Sequence, residues 1–437
     1  VWFSAIYLLL FISLIGCIVP RIVSHAKALR RQPPRVPARL DRLAAHASMT
    51  TSASAAEVSQ RAQQWLTSHR YRFVVDDDGS LRAEAGRHRE TGNLVFHIFL
   101  VFVLVGVGWN TLWGFKGTSV VVEGQGFSNS ITQYDEFKAG AMVDTDNLTP
   151  FSMKLRKFVV SFETGTVQRG AARSFDATVD LTMGGKTQTR DLQVNHPLRI
   201  GSTKVHLLGH GYAADVVVRD GDGKVAYSGP VVFLPQDANF KSVGVIKVPD
   251  ARPDRLAFQG FFLPTGAITA GGPTSLFPDA LNPQLYLTAW YGKPTVETGV
   301  PSNIYTLDTT GLTQVTNGKD KARFVLSPGQ RYKLPDGKGS IQFNGWQRWA
   351  KIQVSQNPGL PLTFLSVVLS VAGLCVSLFS RSRRVWVRTI PGDDGLRVEI
   401  GGLDRSDSRS GAVDDVNSLL AALHGDSMSG DVGEEHS

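Results

Sequence analysis

An apolar run with one histidine inside it constrains this chain more than any other feature. Between residues 94 and 113 only three side chains are polar, those of His97, Asn110 and Thr111. At about 1.5 Å per residue, roughly twenty helical positions are enough to cross the hydrocarbon core of a bilayer. The run therefore predicts a transmembrane helix, which we place at residues 93–114.

His97 is the residue in this helix that most needs an explanation. An imidazole facing lipid is unfavourable, so it is expected to face protein, a water-filled cavity or a ligand, and it is a candidate functional residue. The alternative is that His97 only hydrogen-bonds to a neighbouring helix. The sequence leaves both interpretations open.

Two further apolar runs predict two more spans, at residues 1–19 and 360–380. The fold class expected is therefore a multi-span α-helical membrane protein. The sequence begins at Val1, without a methionine and already inside an apolar run. We expect an N-terminal part of the protein to be absent from this sequence.

The charges around the spans predict the topology. Residues 21–89 hold thirteen Lys and Arg against six Asp and Glu, and four arginines lie between 381 and 388. By the positive-inside rule, the loop 20–92 and the C-terminal segment 381–437 are cytoplasmic and residues 115–359 are outside the cytoplasm. Trp109 and Trp113 then lie at the outer interface, where aromatic residues are enriched. The net charge of +8 is explained by this bias, and nucleic acid is not an expected partner.

The predicted outer region has β character throughout. Short β-branched or aromatic runs are separated by turn residues such as Asp222-Gly223 and Asp336-Gly337. This pattern predicts an all-β domain, a sandwich or a partly closed barrel. The runs are at 119–123, 158–162, 177–182, 216–218, 231–234, 285–290 and 341–343.

The predicted cytoplasmic segments have less structure in this interpretation. Residues 55–68 predict a short helix, 71–85 a hairpin turning at Asp78-Gly79, and 396–400 a short strand. We expect the loop to form a small lid rather than an independent domain. The segment from residue 404 is rich in Ser, Gly and Asp and is expected to be partly disordered, with one possible helix at 413–423.

Few other residues suggest chemistry. Cys17 and Cys375 each lie in a predicted span, where a small apolar packing role is expected, and neither belongs to a CxxC pair. His196, His206 and His210 lie in the β region, and structural roles are favoured over metal binding because the i,i+4 pair is not on a predicted helix. No motif for a hydrolase or a phosphate-binding loop is present, and no catalytic residue is assigned.

The stretch 258–265 (FQGFFLPT), followed by an irregular loop at 271–278, is unusually aromatic. It is either a core strand with a loop or an apolar surface that contacts a partner or the membrane. Its exposure decides between the two.

Several short motifs follow one another around the three spans and the β region. They are GRHRETGN at 86–93 running into Phe96-His97, GFKG at 114–117, VNHPL at 194–198, the FQGFFLPT stretch, Pro358-Gly359 and RVWVR at 384–388. In this order they resemble the ResB family of system II cytochrome c biogenesis, in its actinobacterial form. The similarity extends from Val1 to about Arg388. The family typically has four spans and only three are visible here, so the resemblance implies that the first span is missing from this sequence.

The resemblance implies a function. ResB-like proteins act with a polytopic ResC/CcsA-type partner to move and hold haem for attachment to apocytochrome c. It implies that His97 is an axial ligand of haem iron, that haem is shared with the partner, and that the chain itself is not an enzyme. The alternative is a membrane-anchored scaffold whose outer β domain binds an envelope partner without haem. The sequence assigns no docking site for apocytochrome c and no functional role beyond packing or structure to Cys17, Cys375 or His196.

Overall fold

The computed structural model describes residues 2–294, 305–393, 395–404 and 410–424. The chain divides into two compact units. The first unit combines Val1–Trp109 with Gly359–Ser437, and the second is Asn110–Pro358. The predicted disorder at 425–437 lies outside the described residues.

Five α-helices lie within the described ranges. They are α1 Trp2–Arg30, α2 Ala55–Ser68, α3 His88–Trp113, α4 Leu360–Phe379 and α5 Ser410–His424. Three of them, α1, α3 and α4, are long and apolar enough to cross a membrane. The prediction of three apolar span-length helices is therefore confirmed.

The helix bounds differ from the predicted ones at two places. Helix α1 passes through Pro20 and continues to Arg30, beyond the predicted end at residue 19. An internal proline removes one backbone hydrogen bond but leaves the following residues free to stay helical, and the segment up to Arg30 contains no further proline or glycine. Helix α3 begins five residues early, at His88, so the basic cluster forms its first turn.

Strands make up most of the remainder of the described chain. In chain order they are β1 Ala45–Thr51, β2 Arg72–Val75, β3 Leu81–Ala85, β4 Phe115–Val122, β5 Gly126–Ser128, β6 Glu136–Ala139, β7 Ser152–Phe162, β8 Ala172–Met183, β9 Lys186–Gln193, β10 Leu198–Ile200, β11 Thr203–Arg219, β12 Val225–Pro235, β13 Ser242–Val248, β14 Arg255–Leu263, β15 Gly266–Thr269, β16 Gly272–Ser275, β17 Gln284–Gly292, β18 Thr313–Gln314, β19 Thr316–Asn317, β20 Asp320–Lys321, β21 Arg323–Leu326, β22 Arg331–Lys333, β23 Ser340–Gln356, β24 Arg383–Gly392 and β25 Gly395–Asp404.

The part of the first unit outside the three long apolar helices is one α+β fold. Its antiparallel sheet has the order β1-β25-β24-β3-β2, so the β24–β25 pair from after the second unit lies between strands β1 and β3 from before it. Helices α2 and α5 pack with this sheet around a shared core that includes Trp65, Leu81, Val398 and Leu419. The Tyr71 hydroxyl donates a 2.6 Å hydrogen bond to Asp415, which also binds Arg383 at 2.7 Å.

This arrangement corrects the expectation of a small lid, because the loop and the C-terminal segment share one sheet. The helix predicted at 413–423 and the strand predicted at 396–400 are confirmed as α5 and β25. The predicted helix at 55–68 and the hairpin at 71–85 are confirmed. The prediction missed that β24 joins β3 and that β25 joins β1, pairings that link residues more than 290 positions apart. Helix α5 is amphipathic and its apolar side is buried by that sheet, which explains why a segment from a polar, Ser-rich region is ordered.

The second unit is built from β-strands. A long sheet has the order β18-β17-β14-β13-β12-β11-β23-β4-β6, with β10, β21 and β22 paired at its sides. A four-stranded sheet has the order β5-β7-β8-β9. The seven predicted runs all fall wholly or almost wholly within strands of these two sheets.

Two cores explain how the sheets are folded. One core lies between the four-stranded sheet and the β4, β11 and β23 part of the long sheet, and it includes Phe158 and Ile352. The other is formed by the strands from β11 to β17 together with β21 and β23, and it includes Phe258 and Phe343. Strands that share one core along so much of a sheet must curl around it. The first half is therefore sandwich-like, and the second is a curled sheet.

The FQGFFLPT stretch is a core strand. Phe258 and Phe262 are fully buried in β14, between β13 and β17. The glycine at 260 fits because a Cβ there would collide with the backbone of Tyr286 on the neighbouring strand. The predicted irregular loop at 271–278 instead contains β16, which forms a hairpin with β15, and Ile268 is exposed near the tip of that hairpin.

Candidate functional site around His97

A glycine turn sets where the helix that carries His97 begins. Strand β3 ends at Ala85, and Gly86 follows with a φ of +72°. A Cβ at Gly86 would collide with the carbonyl of Arg381, so only glycine fits both the conformation and the space. Helix α3 then starts at His88, and His97 lies in its third turn.

The backbone of α3 fixes the tautomer of His97. Its Nδ1 lies 2.7 Å from the carbonyl oxygen of Asn93, one turn earlier. A carbonyl only accepts, so Nδ1 carries the proton and donates it to this bond. The neutral ring then has its lone pair on Nε2, which makes no hydrogen bond to any residue that the structure describes. Metal-binding histidines are held in the same way.

His97 faces a recess between α1 and α3, which we call the His97 recess. Its volume is about 280 Å³, and its walls are mainly apolar. Of its lining residues only His97 and Leu94 come from α3, and the others come from α1: Leu10, Ser13, Leu14, Cys17, Ile18 and Arg21. The geometry thus offers one imidazole nitrogen to an apolar space with a cationic side chain at one end.

Polar contacts hold α1 antiparallel to α3 in this register. The Tyr7 hydroxyl donates a hydrogen bond to the carbonyl of Leu104, and His25 Nε2 lies 2.9 Å from the Thr91 hydroxyl. These contacts lie on either side of the recess along α3. His25 is half-buried, with the Thr91 hydroxyl as its hydrogen-bond partner.

Helix α4 packs on another face of α3, through small residues. A Cβ on Gly373 would lie 2.8 Å from the Phe96 nitrogen and 2.9 Å from the Gly92 carbonyl oxygen. The Ser370 hydroxyl donates a 3.3 Å hydrogen bond to the Phe96 carbonyl. Close backbone approach at small residues is typical of helix packing in membranes. It leaves the neighbouring face, with His97, open to the recess.

A second, larger cavity adjoins the His97 recess, and we call it the arginine cavity. Its volume is about 830 Å³, and Arg21 lines both spaces. Asn93, whose backbone carbonyl oxygen accepts the hydrogen bond from His97 Nδ1, also lines the arginine cavity. Its charged lining comprises five arginines, Arg21, Arg31, Arg87, Arg89 and Arg384, and two glutamates, Glu84 and Glu90.

The other candidate histidines do not assemble a site with His97. His196 is exposed, while His206 and His210 lie on strand β11. Burial lowers the pKa of His206, and burial together with Arg348 lowers the pKa of His210 to about 4. Among the described residues, no three His, Cys, Asp or Glu side chains form a metal-binding group.

Comparison with known proteins gives the family of the chain. The model of the ResB-like family matches residues 1–413, nearly the whole sequence. The chain belongs to the ResB-like family. The resemblance seen in the motifs is thereby confirmed.

Three curated relatives of this ResB-like chain are each called cytochrome c biogenesis protein CcsB. That of Synechococcus sp. (strain JA-3-3Ab) is 24% identical over 316 residues, covering 72% of this chain and 55% of the relative. That of Picosynechococcus sp. (strain ATCC 27264 / PCC 7002 / PR-6) is 26% identical over 201 residues, or 45% of this chain and 40% of the relative. That of Synechococcus sp. (strain WH7803) is 23% identical over 405 residues, or 92% and 78%. The chain thus spans about half the length of the first two relatives.

Sequence reasoning found His97 but not its surroundings. Cys17 and Arg21 share its recess because α1 packs antiparallel to α3, a register that no single-helix pattern reveals. The arginines before and after the spans are the sequence feature that marks this cavity. Because the positive-inside rule already accounts for them, the sequence alone does not indicate that they line a common space.

Proposed function

We propose that this chain is a membrane subunit of the system II cytochrome c assembly machinery and that His97 binds haem on its way to apocytochrome c. The observation that carries the proposal is the position of His97, with Nδ1 bonded to Asn93 and Nε2 directed away from that bond, in an apolar recess. The names of the curated relatives support the same process.

The residues at the recess fit haem. Its iron takes an axial imidazole nitrogen, and its ring is apolar. Because Nδ1 of His97 is engaged with the Asn93 carbonyl, Nε2 is the ring nitrogen that remains for iron. Leu10, Leu14 and Leu94 supply apolar contact beside it.

A partner would complete the site. The recess of about 280 Å³ is smaller than most pockets that enclose a drug-sized ligand, which have about 300–1,000 Å³. No second histidine lines it among the described residues. The ResC/CcsA-type partner is therefore expected to cover the rest of the porphyrin and to supply the second axial ligand.

The proposed topology places the two units on opposite sides of the cell membrane. Helices α1, α3 and α4 cross it, the basic segments of the first unit face the cytoplasm, and the second unit is outside, where cytochrome c is assembled. The β unit has two cores of its own, so it can act as a rigid support for the partner or for apocytochrome c.

The test measures, by haem staining, the amount of cytochrome c with covalently attached haem. It is made in cells whose only copy of the gene carries His97→Ala. Loss of most of the holocytochrome c, with the chain still present in the membrane, is expected because the axial nitrogen is gone. His88→Ala and His196→Ala are matched controls, since both side chains are exposed and lie outside the recess. Full holocytochrome c in His97→Ala cells would instead favour a scaffold that works without haem.

A further inference from the structure

The lining of the arginine cavity carries an excess of positive charge, because five arginines share it with two glutamates, Glu84 and Glu90. The side chains of Arg21, Arg31, Arg89 and Arg384 make no hydrogen bond or ion pair with the described residues. Arg87, by contrast, binds Glu84 at 3.4 Å and the carbonyls of α1. Like charges that converge on one space repel each other, so a cavity of this kind is stabilised by a bound anion.

The anion must suit both spaces at once. Arg21 lines the apolar His97 recess and the arginine cavity, and Asn93 lines the cavity while its carbonyl holds His97. A ligand that crosses from one space to the other therefore meets apolar walls and then guanidinium groups. Haem matches this arrangement, because it has an apolar ring and two propionate carboxylates on one edge.

We propose that the arginine cavity binds the propionate carboxylates of haem. This inference rests on the proposed function and adds a second contact to it, electrostatic and independent of iron. Guanidinium groups suit the task because they bind carboxylates with paired, charge-assisted hydrogen bonds. Arg21 and Arg89 are the residues whose contribution is tested first, since each is unpaired and each lies on a different helix.

The experiment uses metal-free protoporphyrin IX and its dimethyl ester, which differ in the two carboxylate charges and cannot bind through iron. Both are titrated by fluorescence against the full chain in phosphatidylcholine nanodiscs. We expect the diacid to bind about tenfold tighter than the ester. The preference should persist in His97→Ala, and it should disappear in Arg21→Gln/Arg89→Gln.

Two variants control for charge and folding. Arg30→Gln/Arg42→Gln removes two exposed arginines that do not line the cavity, and it should keep the preference. Arg21→Lys/Arg89→Lys keeps the charge, and it should retain at least part of the preference. An unchanged preference in Arg21→Gln/Arg89→Gln would overturn the proposal.

The phosphate of a lipid headgroup could bind the same arginines. Nanodiscs with 30% phosphatidylglycerol distinguish this anion from the propionates. Propionate binding predicts that the preference for the diacid survives in these discs. If the anionic lipid abolishes it, the cavity is a headgroup site and the proposal is wrong. A separate titration with haemin reports on His97, so failure of the proposed function would appear there, as a Soret band unaffected by His97→Ala.

Discussion

At the scale of single residues, His210 shows what burial does to a histidine in this fold. Its ring stacks on Phe240 with centroids 4.7 Å apart and contacts Phe158 and Phe175. Its Nδ1 is buried without a hydrogen-bond partner. Burial and the nearby Arg348 lower its pKa to about 4, so it is neutral in the folded protein at pH 7.

This burial predicts a loss of stability in acid. The folded pKa lies below the unfolded value of about 6.5, so the unfolded chain binds the proton first, and stability falls as the pH falls from 6.5 towards 4. At pH 4.5 this effect of His210 is expected to lower the free energy of unfolding by roughly 2–3 kcal/mol relative to pH 7. Calorimetric unfolding of the full chain at several pH values measures it.

His210→Phe should flatten this part of the pH dependence, because phenylalanine fills an aromatic site and does not titrate. His196→Gln is the matched control, since His196 is exposed, and it should leave the profile unchanged. Equal acid sensitivity in the natural chain and in His210→Phe would refute the assignment.

At the residue scale the sequence could identify His97 because it is the histidine inside an apolar run, where each polar group needs a reason. It could not identify the tautomer, which depends on the 2.7 Å contact with Asn93. It also could not give Cys17 a place in the recess wall, because that depends on how two helices pack.

At the scale of elements, the contact between α3 and α4 depends on the absence of side chains. Gly92 and Gly373 face each other, and a Cβ on Gly92 would lie 2.6 Å from the Gly373 carbonyl oxygen. A Cβ on Gly373 would in turn lie 2.9 Å from the Gly92 carbonyl oxygen. Both oxygens belong to the backbone and cannot move without shifting a helix. This packing should therefore hold α3, and His97 with it, in place.

Gly373→Val is expected to destabilise the chain by about 1–3 kcal/mol, the usual cost of overpacking a close contact. The midpoint of thermal aggregation in detergent should fall. Gly16→Val is the control on α1, where a Cβ meets nothing within 4 Å. If the two variants melted alike, the close approach of α3 and α4 would not be stabilising.

Elements with a local sequence pattern were predicted, including α5 at 413–423, whereas the pairing of strands distant in the chain was not. The helix α2 has a complete capping box between Ser54 and Glu57, a signal carried within four residues. Strand β1 (AHASMTT) has little β-propensity, and it becomes a strand through its pairing with β25. Helix α5 is likewise fixed by burial of Leu419 and its neighbours against that sheet.

At the scale of the whole molecule, the charge distribution predicts which side each unit occupies. With Cys17 and Cys375 replaced by serine, single cysteines are placed at Thr166 in the second unit and at Asn417 in the first, both exposed positions. A membrane-impermeant maleimide should label Thr166→Cys in intact spheroplasts. It should label Asn417→Cys only after lysis, because that unit is proposed to be cytoplasmic.

Labelling of both sites after lysis is the control for exposure. The reverse pattern in intact spheroplasts would contradict the proposed topology.

At the scale of the whole molecule the sequence predicts three spans and a β unit, since hydropathy and short β-rich runs are local signals. The curled half of the long sheet was not specified, because it depends on the pairing of β21 with β17 and of β22 with β23.

The most direct test of the account is the visible absorption spectrum of the chain co-purified with its ResC/CcsA-type partner. The natural complex should show Soret and α bands, His97→Ala should lose most of that absorbance, and His97→Gly with added imidazole should regain it, since free imidazole can supply the missing nitrogen. Unchanged bands in an assembled His97→Ala complex would contradict the account and leave His97 as a packing residue.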